Sequence, residues 1–284
     1  MTIMDGKTLA NEIQKDIAKE VLNLSKEGII PSLAVILVGS DPASQTYVNM
    51  KSKACKNVGI TSILHEMPDN ISQKDLIAMI ENLNNNINID GILIQLPLPS
   101  HINTNAILEA VLPNKDVDGF HTKNSGKLHS GICGFVPATP LGIMSLLAHY
   151  DICVKGKDVV IIGASNIVGK PLGALMLNAG ATISICHIHT KDIASYTKRA
   201  DIICVAVGKP NLITKDMVKQ GVVIMDIGIN RLPNGKIVGD VDFENVAPIC
   251  SFITPVPGGV GPMTIASLLQ NTIKSAKSRL QNLV

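Results

Sequence analysis

The sequence predicts two α/β domains in one chain, the second a doubly wound parallel sheet. Three observations carry this. Strand-length apolar runs alternate with amphipathic helical stretches along most of the 284 residues, the pattern of parallel sheets covered by helices on both faces. The rhythm breaks once, over residues 113–138, which are rich in Gly, Lys, Asp and His and show no clear period. It then resumes, which puts a seam near 139. The length itself suits one large domain or two modest ones at roughly 150 residues each.

Each element follows from local chemistry. Leu9, Ile13, Ile17 and Val21, four residues apart, predict an amphipathic helix that Gly28 and Pro31 stop. Leu33–Val38 is a continuous apolar run of the doubly buried kind. Gly39 and Pro42 turn the chain into a helix over about 43–57, and Gly59–Leu64 reads as the next strand. Ser72 with Asp75 three residues on opens a helix bearing Leu76, Ile77 and Ile80. Ile92–Leu96 is a third strand, ended by Pro97 and Pro99. Beyond the break, Thr139-Pro140 is a helix start, a cap residue with Pro in the first turn. Val159–Ile162, Thr182–Cys186, Ile202–Val207 and Val222–Asp226 are strands, and a Pro/Gly loop at 254–262 leads into a last helix from 263.

Composition excludes several classes of function. Hydrophobic residues make up 46% and charged residues 17%, too apolar for a disordered chain. A net charge of +2 gives no basic stripe for phosphate backbones, and 2% aromatics with no Trp leave little for stacking bases, so no nucleic-acid partner is expected. No apolar run approaches the ~18 residues of a membrane span, and none near the N-terminus resembles a signal peptide. The six cysteines are scattered without a CxxC pair, which reads as reduced thiols in a cytoplasmic enzyme. No metal site is expected, since the histidines form no HExxH.

The clearest phosphate signal is the turn Gly163-Ala164-Ser165 between a buried strand and a helix from about Val168. Backbone amides there, with the helix N-terminus, suit a pyrophosphate or ribose phosphate, although an ordinary strand–helix turn would look similar. Some twenty residues on, NAD enzymes of this architecture usually place an acid for the ribose 2′-hydroxyl. Here stands His187-Ile188-His189-Thr190-Lys191, with no acid and three potential cations, which favours NADP. Ser44, Tyr47 and Lys51 lie at i, i+3 and i+7 on the second helix, where a desolvated amine beside an aromatic plane is one reading and a solvent-facing lysine the other. Gln95 and Leu96 end a buried strand, where open α/β sheets place ligand groups. Lys115-Asp116-Val-Asp118-Gly119 is a charged loop whose acids, with Gln95, suit the donor–acceptor edge of a heterocycle such as a pterin. Thr254–Pro262, with Pro257 and Gly258, is rigid and poor in side chains, allowing close backbone approach.

Together these segments resemble the bifunctional methylenetetrahydrofolate dehydrogenase/methenyltetrahydrofolate cyclohydrolase family nearly end to end. The marks are DPASQTYVNMKSKAC (41–55), DGILIQLPLP (90–99), PNKDVDGFH (113–121), VPATPLG (136–142), VVIIGASNIVGKP (159–171), MDIGINR (225–231) and TPVPGGVGPMT (254–264). The resemblance implies a folate-binding domain over 1–139 completed by the C-terminal helix 263–284, a Rossmann-like NADP domain over 140–262, an active-site cleft between them, and a homodimer. It implies tetrahydrofolate derivatives as substrates. Lys51 matches the family's catalytic lysine, Gln95 the residue that positions it, Tyr47 the tyrosine against the folate, and Asp118 the pterin anchor. Ser44, Leu96, Pro257 and Gly258 fall among the substrate contacts, and Gly163, Ala164, Ser165, Ile188 and Ile229 among the cofactor contacts. Some relatives carry Arg in place of Ala164 and Ser or Arg in place of Ile188, so NADP preference rests here on His187, His189, Lys191 and the backbone at Ser165. Two alternatives remain: a shikimate-dehydrogenase-like NADP oxidoreductase, which leaves the motifs at 90–99 and 254–264 unexplained, and a non-catalytic nucleotide-binding protein, which has no need of Lys51.

Overall fold

The computed structural model describes the backbone of residues 1–281 and side chains through residue 279. The chain divides into two compact units. One, here the three-stranded unit, comprises residues 12–127, 133–138 and those from 265 onward; the other, the six-stranded unit, comprises 1–11, 128–132 and 139–264.

In chain order, strand β1 (Thr2–Ile3) precedes helix α1 (Gly6–Lys26). β2 (Ser32–Val38), α2 (Pro42–Val58), β3 (Thr61–Met67), α3 (Gln73–Asn85), β4 (Gly91–Ile94) and α4 (Thr104–Ala110) follow. The sheet they build is parallel, in the order β3-β2-β4. β2 lies at its centre with every residue buried, and its side chains alternate between two cores. Leu33, Val35 and Leu37 pack with Ile17, Val21 and Leu24 of α1 and Val48, Cys55 and Val58 of α2. Ala34, Ile36 and Val38 pack on the other face with Leu76, Ile80 and Leu83 of α3 and Ile107 of α4. Each such large side chain contributes roughly 1.5–3 kcal/mol of hydrophobic free energy, so a one-residue slip of β2 would misplace a whole face.

α2 starts where Asp41 caps it, its carboxylate accepting from Ser44 N at 2.7 Å, with Pro42 in the first turn. Gly59 closes it in the left-handed conformation (φ 84°). This corrects the expected strand 59–64: Gly59 and Ile60 belong to the helix end, and β3 pairs with β2 from Thr61 to Met67.

After α5 (Thr122–His129) and α6 (Ala138–His149), strands β5 (Asp158–Ile162), β6 (Thr182–Cys186), β7 (Ile202–Val205), β8 (Val223–Asp226) and β11 (Phe252–Ile253) form the second sheet with β1. Its order is β1-β11-β8-β7-β5-β6, all parallel. The chain leaves β5 for β6 on one side and then returns to build β7 on the other. The order therefore reverses between β5 and β7, the place where such sheets bind ligands beyond their strand ends. Smaller elements decorate it: α7 (Gly169–Asn178), α8 (Ala194–Thr197), the hairpin β9 (Asn230–Arg231) and β10 (Ile237–Val238), and α9 (Phe243–Val246). The last helix, α10 (Val260–Gln281), begins three residues before the expected 263; residues 282–284 of that expectation lie outside the described residues.

Sequence and structure differ at the domain edges. Residues 1–11 group with the six-stranded unit because β1 pairs with β11, Thr2 opposite Phe252 and Ile3 opposite Ile253. Residues 128–132 group there too. The aperiodic stretch 113–138 contains α5, whose polar sequence from Thr122 to His129 hides a helix that buries two residues, Asn124 and Leu128, 2% and 6% exposed.

Candidate active site

In the three-stranded unit, Lys51 lies on α2 at the edge of the buried row Ser44, Val48 and Cys55, and is itself half-buried. Its Nζ donates to Gln95 Oε1 at 3.1 Å. Gln95 follows the end of β4, its backbone N bound to Ile36 O of the central strand. Its Nε2 donates to Leu96 O at 2.8 Å, and that bond fixes which end of the amide faces the lysine. Burial pushes the Lys51 amine below its ordinary range, while the charge of Asp118 opposes the shift. Asp118 is driven up to about 6, by burial first, with Lys51 pulling it down and Asp116 pushing it further up. Each group thus leans toward neutrality. Tyr47, one turn before Lys51, is 39% exposed and free to offer a ring face. Ser44, by contrast, is only 4% exposed, sealed beneath the Asp41 cap, and so does not share the open face of Tyr47.

The loop bearing Asp118 separates structural from available charges. Lys115 turns inward and donates to Leu83 O and Asn86 O at 3.0 and 2.7 Å. The Asp116 carboxylate is buried and accepts from Phe120 N, His121 N and Asn124 Nδ2 at 3.1, 2.9 and 2.8 Å. Among the described residues none donates to the Asp118 carboxylate. It is the acid left for a ligand.

In the six-stranded unit, Gly163 ends β5 with φ 115°, and a Cβ there would collide with Ala206 O. A Cβ on Gly169, the first residue of α7, would collide with Gly163 O. The strand–helix turn is therefore a close backbone cradle that side chains would fill. Ser165 is exposed, and its Oγ accepts from Val168 N at 3.1 Å, while Ala164 is half-buried. His187 and His189 stand exposed with ring centroids 5.7 Å apart, Ile188 between them is 92% exposed, and Lys191 is exposed. Ile229 is 49% exposed. These features fit a phosphorylated dinucleotide: a backbone turn for the pyrophosphate, two imidazoles and a lysine beyond the second strand, and an apolar contact after β8. Pro257 and Gly258 also belong to this unit, apart from the other expected substrate contacts. Their loop is tied by Lys7 N to Gly258 O and by Gly259 N to Pro255 O, both 2.9 Å.

Sequence reasoning missed two buried carboxylates here. Asp240, fully buried, accepts from Val207 N, Gly208 N and Lys209 N at 2.8, 3.1 and 2.8 Å and from Asn230 Nδ2 at 2.9 Å. Asp226 accepts from Asp240 N and Val241 N at 2.9 and 3.0 Å, and burial raises it to about 6. They fix the loops after β7 and β8, the strand ends facing the cradle. For Asp240 the turn-rich run Gly239-Asp240-Val-Asp242 was the available signal, and for Asp226 a lone acid closing an otherwise apolar strand. Among the described residues, no group of three or more His, Cys, Asp or Glu is arranged to hold a metal, and no helix is long and apolar enough to cross a membrane.

Comparison with known proteins matches both halves of the chain. Residues 4–118 match the family described as tetrahydrofolate dehydrogenase/cyclohydrolase, catalytic domain, and residues 137–280 its NAD(P)-binding domain. The bifunctional protein FolD of Wolinella succinogenes is 64% identical, the match covering 98% of each chain. The crystal structure of the bifunctional FolD methylenetetrahydrofolate dehydrogenase/cyclohydrolase from Campylobacter jejuni is 57% identical over 98% of this chain and 99% of that one, with a TM-score of 0.98. That of the Trypanosoma brucei dehydrogenase-cyclohydrolase, complexed with NADP cofactor and inhibitor, is 35% identical over 99% of each chain, with a TM-score of 0.95.

Proposed function

This chain belongs to the tetrahydrofolate dehydrogenase/cyclohydrolase family, and on that premise we propose how its own residues divide the two reactions. The enzyme oxidises 5,10-methylenetetrahydrofolate with NADP and hydrolyses the methenyl product to 10-formyltetrahydrofolate. The match over both halves of the chain sets the shikimate-dehydrogenase-like alternative aside.

Bound NADP supplies the hydride acceptor. For that step the protein contributes alignment, since no proton is transferred to or from a side chain. The Gly163–Ser165 turn would hold the pyrophosphate region, Ile229 would offer the cofactor an apolar contact, and His187, His189 and Lys191 would hold the 2′-phosphate. Hydrolysis requires proton handling. Water attacks the cationic methenyl carbon and loses one proton. One ring C–N bond then breaks as its nitrogen takes up a proton, and the remaining O–H gives its proton to solvent as the formyl C=O forms. One proton is released overall. The observation that carries the assignment is the Lys51 amine on Gln95 Oε1, half-buried and shifted toward its neutral form. Held by one N–H on Gln95, the neutral amine keeps a lone pair for the water's proton and returns it to the nitrogen. A methenyl cation nearby disfavours the ammonium further. Tyr47 lies against the folate and Asp118 accepts from the pterin N–H groups, with Ser44, Leu96, Pro257 and Gly258 as lesser contacts.

Two further points belong to this reading. The chain forms a homodimer, and β3 is the support for it: an edge strand whose outer side pairs with no further strand among the described residues and whose Ile63 and Leu64 are 37% and 39% exposed. The enzyme works in the cytoplasm, as the free thiols of Cys55, Cys186, Cys204 and Cys250, all buried, suggest.

Lys51→Met tests the assignment. Methenyl absorbance is expected to decay at least about 100-fold more slowly than with the parent enzyme, while NADP binding is unchanged. Hydrolysis near the parent rate would remove Lys51 from the mechanism.

A further inference from the structure

Asn271, Ser275 and Arg279 lie one helical turn apart on α10, a polar stripe beside the apolar residues Leu268, Leu269, Ile273 and Ala276. All three turn their donors on the loops packed beside α10, and two reach the backbone leading to Asp118, Ser275 at Asn114 and Asn271 at Val117. Arg279 reaches Ile87 O and Ile30 O at 3.2 and 3.1 Å and pairs with the Asp90 carboxylate, its Nη2 donating to Oδ2 at 3.0 Å. The Ser275 hydroxyl lies 2.6 Å from Asp90 O and 2.8 Å from Asn114 O. Asn271, only 3% exposed, gives both amide hydrogens to carbonyls, Val117 O at 2.8 Å and Val136 O at 2.9 Å.

Those two carbonyls bracket Asp118. Val117 is the residue before it. Gly119, the residue after it, has φ 73° and lies so close to the 136–137 backbone that a Cβ would sit 2.7 Å from Pro137 N and 2.8 Å from Val136 C. The Asn271 amide thus joins the peptide entering Asp118 to the segment on which the peptide leaving it rests. Among the described residues the Asp118 carboxylate has no hydrogen-bond partner, so its aim comes from the backbone.

We infer that Asn271 is a positioning residue for the folate: by clamping Val117 O and Val136 O it sets where the Asp118 carboxylate points. The inference rests on Asp118 as the pterin anchor. A ligand hydrogen bond is lost over a fraction of an ångström, so freeing the clamp weakens substrate recognition before it touches chemistry or nucleotide binding.

The test uses the whole enzyme and four variants. Asn271→Leu keeps the bulk and removes both donors; Asn271→Ser keeps one. Asn271→Leu is expected to raise the KM for 5,10-methylenetetrahydrofolate about tenfold, with kcat and the KM for NADP within about twofold of the parent. Asn271→Ser is expected to fall between, and it serves as the soluble variant if the leucine substitution lowers folding yield. The decisive arm places Asn271→Ser in an Asp118→Ala background. If Asn271 acts through Asp118, its effect on folate KM disappears there, because the contact it positions is already gone. An effect of equal size in both backgrounds, or equal losses of folate and NADP affinity, would overturn the inference. Failure of Asp118→Ala alone to weaken folate would instead overturn the anchor reading, and the two failures are distinct.

Discussion

Lys51 and Asp118 carry opposite formal charges, yet burial shifts each of them toward neutrality. At the residue scale this sets two expectations. The first concerns ligand preference. Asp118→Ala is expected to weaken folate binding at least about tenfold and NADP binding hardly at all, measured by separate titrations, since its free carboxylate is the acceptor for donors on the ligand. Equal losses would count against it. The second concerns pH. A lysine whose amine is pushed below its ordinary range becomes neutral at lower pH than a free lysine, so hydrolysis rises with pH and levels off below 10.5. The dehydrogenase step needs no side-chain proton and is expected to lack that rise, which paired rate profiles on one preparation would reveal.

Among the elements, the β5–α7 turn is the one where the chain's conformation leaves least room. Gly163→Ala would drive a methyl into Ala206 O at a φ that L side chains rarely adopt. Its KM for NADP is expected to rise at least about tenfold, while hydrolysis of added methenyl substrate, which uses no nucleotide, continues. Loss of both activities together would point to unfolding of the sheet instead. This turn was legible in the sequence because a buried strand, a glycine and a helix stand in register there. β2 was legible for the same reason, an unbroken apolar run that only a central strand accommodates. α5 was not: it buries Asn124, whose amide reaches Pro113 O and Asp116, and one apolar side chain, Leu128, and a single apolar residue sets no period to detect. Nor was β1, two residues long and defined by its pairing with Phe252–Ile253 some 250 positions away. Of the site, the lysine, glutamine and Asp118 were visible as motifs. Asn271 acts through distant backbone carbonyls, and Asp240 through distant backbone amides and the Asn230 side chain, which local sequence does not encode.

For the molecule as a whole, raised carboxylates tie stability to pH. Asp118 and Asp226 each sit near 6 in the folded protein against an ordinary 3.8. The folded state therefore holds more protons than the unfolded chain between those values, and stability falls as pH rises through that window, then flattens above it. Asp118→Asn removes one such group and is expected to stabilise the protein at pH 7 by on the order of 1–2 kcal/mol, a gain that vanishes near pH 4 in denaturant unfolding. Undiminished benefit at pH 4 would assign the effect to something other than ionisation. The division of the chain has a consequence of another kind. Leu268, Leu269, Ile273 and Ala276 complete the core around β2, yet they follow residues 139–264, which build the other unit. A ribosome adding ~5–20 residues per second needs roughly ten seconds to cross that interval. Throughout it, the nascent first unit waits with an open apolar trough, and a chaperone that shields this trough until α10 emerges would raise the yield of active enzyme.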